Sequence, residues 1–121
     1  MKKVVTIFLL IIAIAFIGVF VNYKFGLSTQ YNFFVAKQDL KKGKIQLVSY
    51  GLPIIDVNPI CRQYGFKTIE AGCAVWPIEI NGIKEYNSVV KDYLKTINGA
   101  DWETKYRKDC DSLISVYFPK K

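Results

Sequence analysis

Residues 4–21, VVTIFLLIIAIAFIGVFV, hold a single polar side chain, Thr6. A helix rises 1.5 Å per residue, so this run reaches about 27 Å, close to the ~30 Å thickness of a bilayer's hydrocarbon core. A helix that packs on a soluble core needs one polar face, and this run has none. Lys2 and Lys3 precede it, and Asn22, Tyr23 and Lys24 come after it, with Tyr23 placed as an interfacial aromatic. Residues 1–21 are therefore expected to form a transmembrane helix, as a signal anchor or a signal peptide, and not an element of the core.

Anchor and signal peptide differ in length and in the residues that flank the apolar run. A cleaved signal pairs a positive start with roughly 7–15 apolar residues and a small-x-small site. Ala13–Ala15 fits such a site, but FIGVFV comes directly after it, and Gly26–Ser28 would put Lys24 in the cleavage region. The length favours a retained, single-pass anchor; a cleaved signal that releases a secreted or periplasmic protein is the alternative. Positive charge before the run keeps that end in the cytoplasm and exports the rest, although Lys24, Lys37, Lys41, Lys42 and Lys44 on the other side blunt the bias.

The chain has 121 residues, so removing residues 1–21 leaves 100, enough for one small domain. We expect a juxtamembrane stalk over 22–32, an α+β domain over 33–118 and a basic tail over 119–121. The net charge is +7, and 15 of the 17 basic residues are Lys. Lys-over-Arg usage with abundant Ile reads as the codon bias of an AT-rich bacterial genome. The charge therefore does not by itself require nucleic acid. Beside an apolar helix, an anionic membrane surface is the simpler partner. Lys37, Lys41, Lys42 and Lys44 are the densest cluster and the candidate lipid head-group contacts; the alternative is a solvated face.

Within the domain, Phe33–Ala36 can open a strand or a helix, and AKQDLKKG reads as a polar turn of helix stopped by Gly43. KIQLVSY (44–50) alternates as a strand. Asn58 with Pro59 starts a short helix that closes at Gly65. FKTIEAGCAVW (66–76) is a second strand with Ile69, Ala71, Cys73 and Val75 on the core side. The connection is near the minimum for a parallel pair, so parallel and antiparallel pairing both stay open. Asn81 is the expected cap of a helix whose stripe is Ile83, Tyr86, Val90, Tyr93, Leu94 and Ile97, stopped by Asn98-Gly99. Asp101 should cap a last helix striped by Trp102, Tyr106, Cys110, Leu113 and Tyr117. The short linker favours antiparallel neighbours. The expectation is two or three strands covered by two C-terminal helices.

Little in the sequence points to catalysis. His is absent, which removes histidine general bases and His-paired nucleophiles. The carboxylates are dispersed; Asp109 and Asp111 sit two apart on a helix and do not face one another. Asp56 and Asn58 bracket a turn. Glu70 lies on the face opposite Ile69, where it could line a cleft or simply face solvent. Cys61, Cys73 and Cys110 lack the spacing of a metal knuckle, and the sequence implies no metal or other cofactor. Cys73 facing in from its strand and Cys110 from the covering helix could form a disulfide in an oxidising compartment.

The segment with Gly72-Cys73, Asn81-Gly82, Tyr86-Asn87, Asn98-Gly99 and Trp102 resembles a block in small uncharacterised bacterial proteins. The resemblance implies no activity, ligand or catalytic residue. Most of its positions are caps and core sites; Asn87 is polar beside the apolar stripe and is expected to bond backbone or sheet. The sequence thus points to a non-enzymatic interaction domain held at a cell membrane through residues 4–21, with an unidentified protein partner and no nucleic acid.

Overall fold

In the computed structural model, which describes residues 1–120, the elements run α1 (Lys2–Phe25), α2 (Phe33–Lys41), β1 (Gln46–Ser49), α3 (Asn58–Gln63), β2 (Lys67–Glu70), α4 (Pro77–Asn98) and α5 (Trp102–Tyr117). The chain is a mixture of helix and strand with an apolar helix at its start. α1 is one unbroken helix with no buried residue. It is long and apolar enough to cross a membrane or to act as a signal sequence. It continues past the apolar run to Gly26, whose positive φ of 59° lets the chain turn out of the helix.

Residues 26–32 are folded onto the domain, which corrects the expected stalk. Two short polar side chains hold the turn. The Asn22 side-chain carbonyl accepts from the Ser28 N–H at 2.9 Å. Buried Asn32 donates to the Leu27 and Thr29 carbonyls at 3.1 Å, while its own side-chain carbonyl accepts from the Phe34 and Val35 N–H groups. Asn32 is thereby the N-cap of α2, and that cap decides that Phe33–Ala36 is helical.

β1, α3 and β2 form a unit whose two strands pair in parallel, with Gln46 opposite Lys67 and Ser49 opposite Glu70. β2 is shorter than its alternating pattern. The pairing runs on through the Ala71 N–H on the Ser49 carbonyl and ends with the Gly51 N–H on the Gly72 carbonyl, where Gly51 and Gly72 turn both segments away at φ of 103° and 99°. With no neighbour to pair with beyond Gly72, residues 73–76 become loop. Val57 rather than Asn58 stands at the N-cap of α3. The Asn58 side chain instead accepts from the Thr68 N–H at 2.9 Å and ties α3 to β2, while Asp56 accepts from the Asn58 N–H.

α4 starts a turn earlier than Asn81. Pro77 opens it, and the Glu79 carboxylate reaches back to the Trp76 N–H at 2.6 Å. Ile83, Tyr86, Val90 and Leu94 are buried as the stripe requires, but Tyr93 and Ile97 stay exposed at its border. Asn87 bonds the Val48 N–H and carbonyl, both at 2.8 Å, and so acts as a surrogate strand against β1. α5 is covered only at its start. Trp102 and Tyr106 pack edge-on against Phe66, at 5.9 and 5.3 Å between centroids, whereas Tyr117 is exposed. Two short strands offer too little surface to cover the whole helix. Asp101 does not cap α5 with its side chain; it pairs with Lys105 at 3.0 Å instead.

Candidate functional site at the junction of α1 and α4

The apolar helix meets the domain at one place. Gly26 and Gly82 lie backbone to backbone: a Cβ at Gly26 would clash with Gly82 and the Ile78 carbonyl, and a Cβ at Gly82 with Thr29 and the Tyr31 carbonyl. Small residues let helices approach this closely. The Asn81 side chain donates to the Tyr23 carbonyl at 2.9 Å, satisfying one of the last carbonyls of α1. Val21, Asn22 and Phe25 are half-buried there while the rest of the apolar helix is not. The domain is thus clamped to the end of α1 with no flexible spacer.

Behind the junction lies a buried polar network. The Tyr86 hydroxyl donates to Asp39 Oδ2 at 2.7 Å, and Gln46 Nε2 donates to the Tyr86 oxygen at 3.1 Å. The three residues join α2, β1 and α4. Burial, reinforced by the Asp39 hydrogen bond, raises the Tyr86 hydroxyl far above the usual tyrosine range. Among the described residues no buried side-chain polar atom lacks a partner. The network is closed, and its geometry suits locking elements together.

Lys37, Lys41, Lys42 and Lys44 are all exposed along and just after α2. Lys37 Nζ rests 4.4 Å from the Phe33 ring centroid. Among the described residues the ion pairs are Lys91–Glu103, Lys105–Asp101 and Arg107–Glu103, so these four lysines face solvent outside any ion pair. Asp39, the carboxylate on their own helix, is committed to Tyr86. Glu70 faces solvent and accepts from the Ser49 hydroxyl across the sheet. Lys121 of the basic tail lies outside the described residues.

All three cysteines are free, and the Cys73–Cys110 disulfide is absent. Cys73 is exposed in the loop after β2 because the strand ended before it could turn inward. The residue that approaches the covering helix is Cys61, buried on α3, whose Sγ is 3.5 Å from the Tyr106 hydroxyl. Cys110 is half-buried one turn beyond Tyr106, and burial pushes its thiol up. Elsewhere Leu52, Ile54, Ile55, Val57, Ile114 and Phe118 border an open apolar groove. Among the described residues no three His, Cys, Asp or Glu side chains gather as a metal-ligand set.

Taking Asn81 as the helix cap places Gly82 in the first turn and hides the junction. The usable signal was a glycine placed one helical turn before Tyr86 on the same face, a position that costs helix stability unless something packs close. No family model, curated protein or solved structure matches the chain.

Proposed function

We propose that this is a single-pass membrane protein whose small exported domain is a non-enzymatic interaction module held at the bilayer surface. One observation carries the reading: α1 is apolar all round, buries nothing in the domain, and is joined to it rigidly at Gly26 and Gly82. A signal peptide cut at Gly26–Ser28 would have its site inside a folded turn and would remove the Tyr23 carbonyl that Asn81 holds. That arrangement supports retention. Lys2 and Lys3 support a cytoplasmic start of α1 and an exported domain. The exposed lysines 37, 41, 42 and 44 then serve as contacts to anionic head groups, each worth up to about 1 kcal/mol near such a surface, or to an acidic protein partner.

The test is intact mass in fractionated cells, together with protease treatment of spheroplasts. Full-length mass resisting alkaline extraction, and a domain digested from outside, are expected. A truncated mass in the soluble exported fraction would replace the anchor with a cleaved signal. A domain digested only after lysis would invert the topology.

A further inference from the structure

The loop between β2 and α4 has the composition and placement of a second, shallower membrane contact. Residues 71–78, AGCAVWPI, contain no charged side chain and no side-chain amide. Gly72, Cys73, Ala74, Trp76 and Pro77 are exposed. Trp76 is 74% exposed, against 3% for Trp102 in the core. Loops facing water are normally polar, and a tryptophan this exposed keeps a large apolar ring in solvent. The loop is also held in place: the Glu79 carboxylate takes the Trp76 N–H, and the Gly72 carbonyl accepts from the Gly51 N–H at 3.0 Å.

Its location names the partner. The Ile78 carbonyl lies against Gly26 at the end of α1. Trp76 is two residues away, at most about 7 Å of chain. Gly26 is five residues past the apolar run, about 7.5 Å of helical rise beyond the hydrocarbon edge. The polar layer on each side of a bilayer is roughly 5–8 Å deep. The chain length therefore brings Trp76 within reach of the layer where tryptophan, apolar ring and single N–H donor together, partitions best. We propose that the Ala71–Ile78 loop inserts Trp76 into the lipid head-group layer and seats the domain flat against the membrane that α1 crosses. This rests on α1 being a retained anchor.

The full chain in vesicles of phosphatidylcholine and phosphatidylglycerol gives the test. Trp76 emission is the difference between the wild-type protein and Trp76→Phe, in which Trp102 alone reports that the core is intact. Co-flotation with vesicles tests the anchor independently. Expected are a blue-shifted Trp76 component, quenched by lipid brominated near the head group more than by lipid brominated at the chain end, and shielded from aqueous acrylamide. A protein that floats while acrylamide quenches Trp76 as freely as it quenches tryptophan in water would overturn the loop insertion alone. A protein that does not float would overturn the anchor, and the loop proposal with it.

Discussion

α1 and α4 are nearly equal in length, 24 and 22 residues, yet they meet their surroundings in opposite ways. α1 presents Ile, Leu, Phe and Val on every side and buries none of them. α4 confines its apolar residues to one stripe and buries Gly82, Ile83, Tyr86, Val90 and Leu94. α4 is stabilised by the protein it covers; α1 has no such cover, and its surface suits a lipid solvent. The two meet where the chain carries a glycine on each side, Gly26 at the end of α1 and Gly82 within α4. The stability of the domain and the membrane placement proposed for α1 should therefore be separable by mutation.

The largest effects come from one substitution in each helix. Leu10→Arg puts a charge near the centre of the apolar run, at about 2.5–3.5 kcal/mol for insertion. Leu94→Ala opens a cavity under a fully buried side chain and should cost the domain about 2–5 kcal/mol. Leu10→Arg should deplete the membrane fraction and leave the domain's denaturant midpoint alone; Leu94→Ala should do the reverse. If Leu10→Arg lowered the midpoint as much as Leu94→Ala, α1 would be part of the core and the comparison would fail.

Polar groups sharpen the contrast. Tyr86→Phe deletes the hydroxyl between Asp39 and Gln46 and leaves that buried pair only their own long 3.5 Å bond, at about 1–3 kcal/mol. Thr6→Val deletes the one polar side chain of the apolar run, whose hydroxyl only doubles back to the Lys2 carbonyl. Urea titration of both variants should show a clear loss for the first and none for the second.

How far the sequence carried this picture depended on the range of each interaction. The apolar run and the stripe Ile83, Tyr86, Val90, Leu94 were legible because periodicity is local. Asn87 was legible as a backbone partner because a polar residue beside a stripe must satisfy itself nearby. Cys73 falls outside the expected strand because strand length is set by the partner, and the pairing ends with the Gly51–Gly72 bond. The stripe of α5 overreached for a similar reason: Tyr117 has helical spacing, but two strands leave nothing to cover it. The stalk was misread because its folding depends on Gly82, fifty-six positions from Gly26, and a contact at that separation leaves no local pattern. The lysines stand out by composition, yet only the structure shows that Asp39 bonds Tyr86 and forms no ion pair with them.

Alkali should loosen the domain. Tyr86 and Tyr106 are raised by burial, and Tyr64 is raised to about 12, chiefly by its hydrogen bond to Asp109. A folded value above the unfolded 10.0 means that the fold favours the neutral phenol. That stability is complete below pH 10 and is lost as pH climbs through the folded values. The domain's thermal midpoint should fall steeply above about pH 10, and less steeply in Tyr86→Phe once its lower starting point is subtracted. A midpoint that is flat between about pH 10 and 12 would mean that these hydroxyls titrate freely.

The smallest expected effect lies on the outer face of α4, where helix meets helix in water. Glu103 pairs with Lys91 and Arg107, both at 2.9 Å, and sits in the first turn of α5, where a negative charge is favoured. Its side chain is 36% exposed, so screening limits the gain, and Glu103→Gln should cost about 0.2–1 kcal/mol, less in high salt. The Lys91 hydrogen bond holds the carboxyl below its ordinary 4.5. The contribution is therefore present above that value and disappears as pH falls through the lower folded one. Wild type and Glu103→Gln should differ at about pH 7 and converge in acid. A difference that persists unchanged at low pH would assign it to packing of the side chain between α4 and α5 rather than to charge.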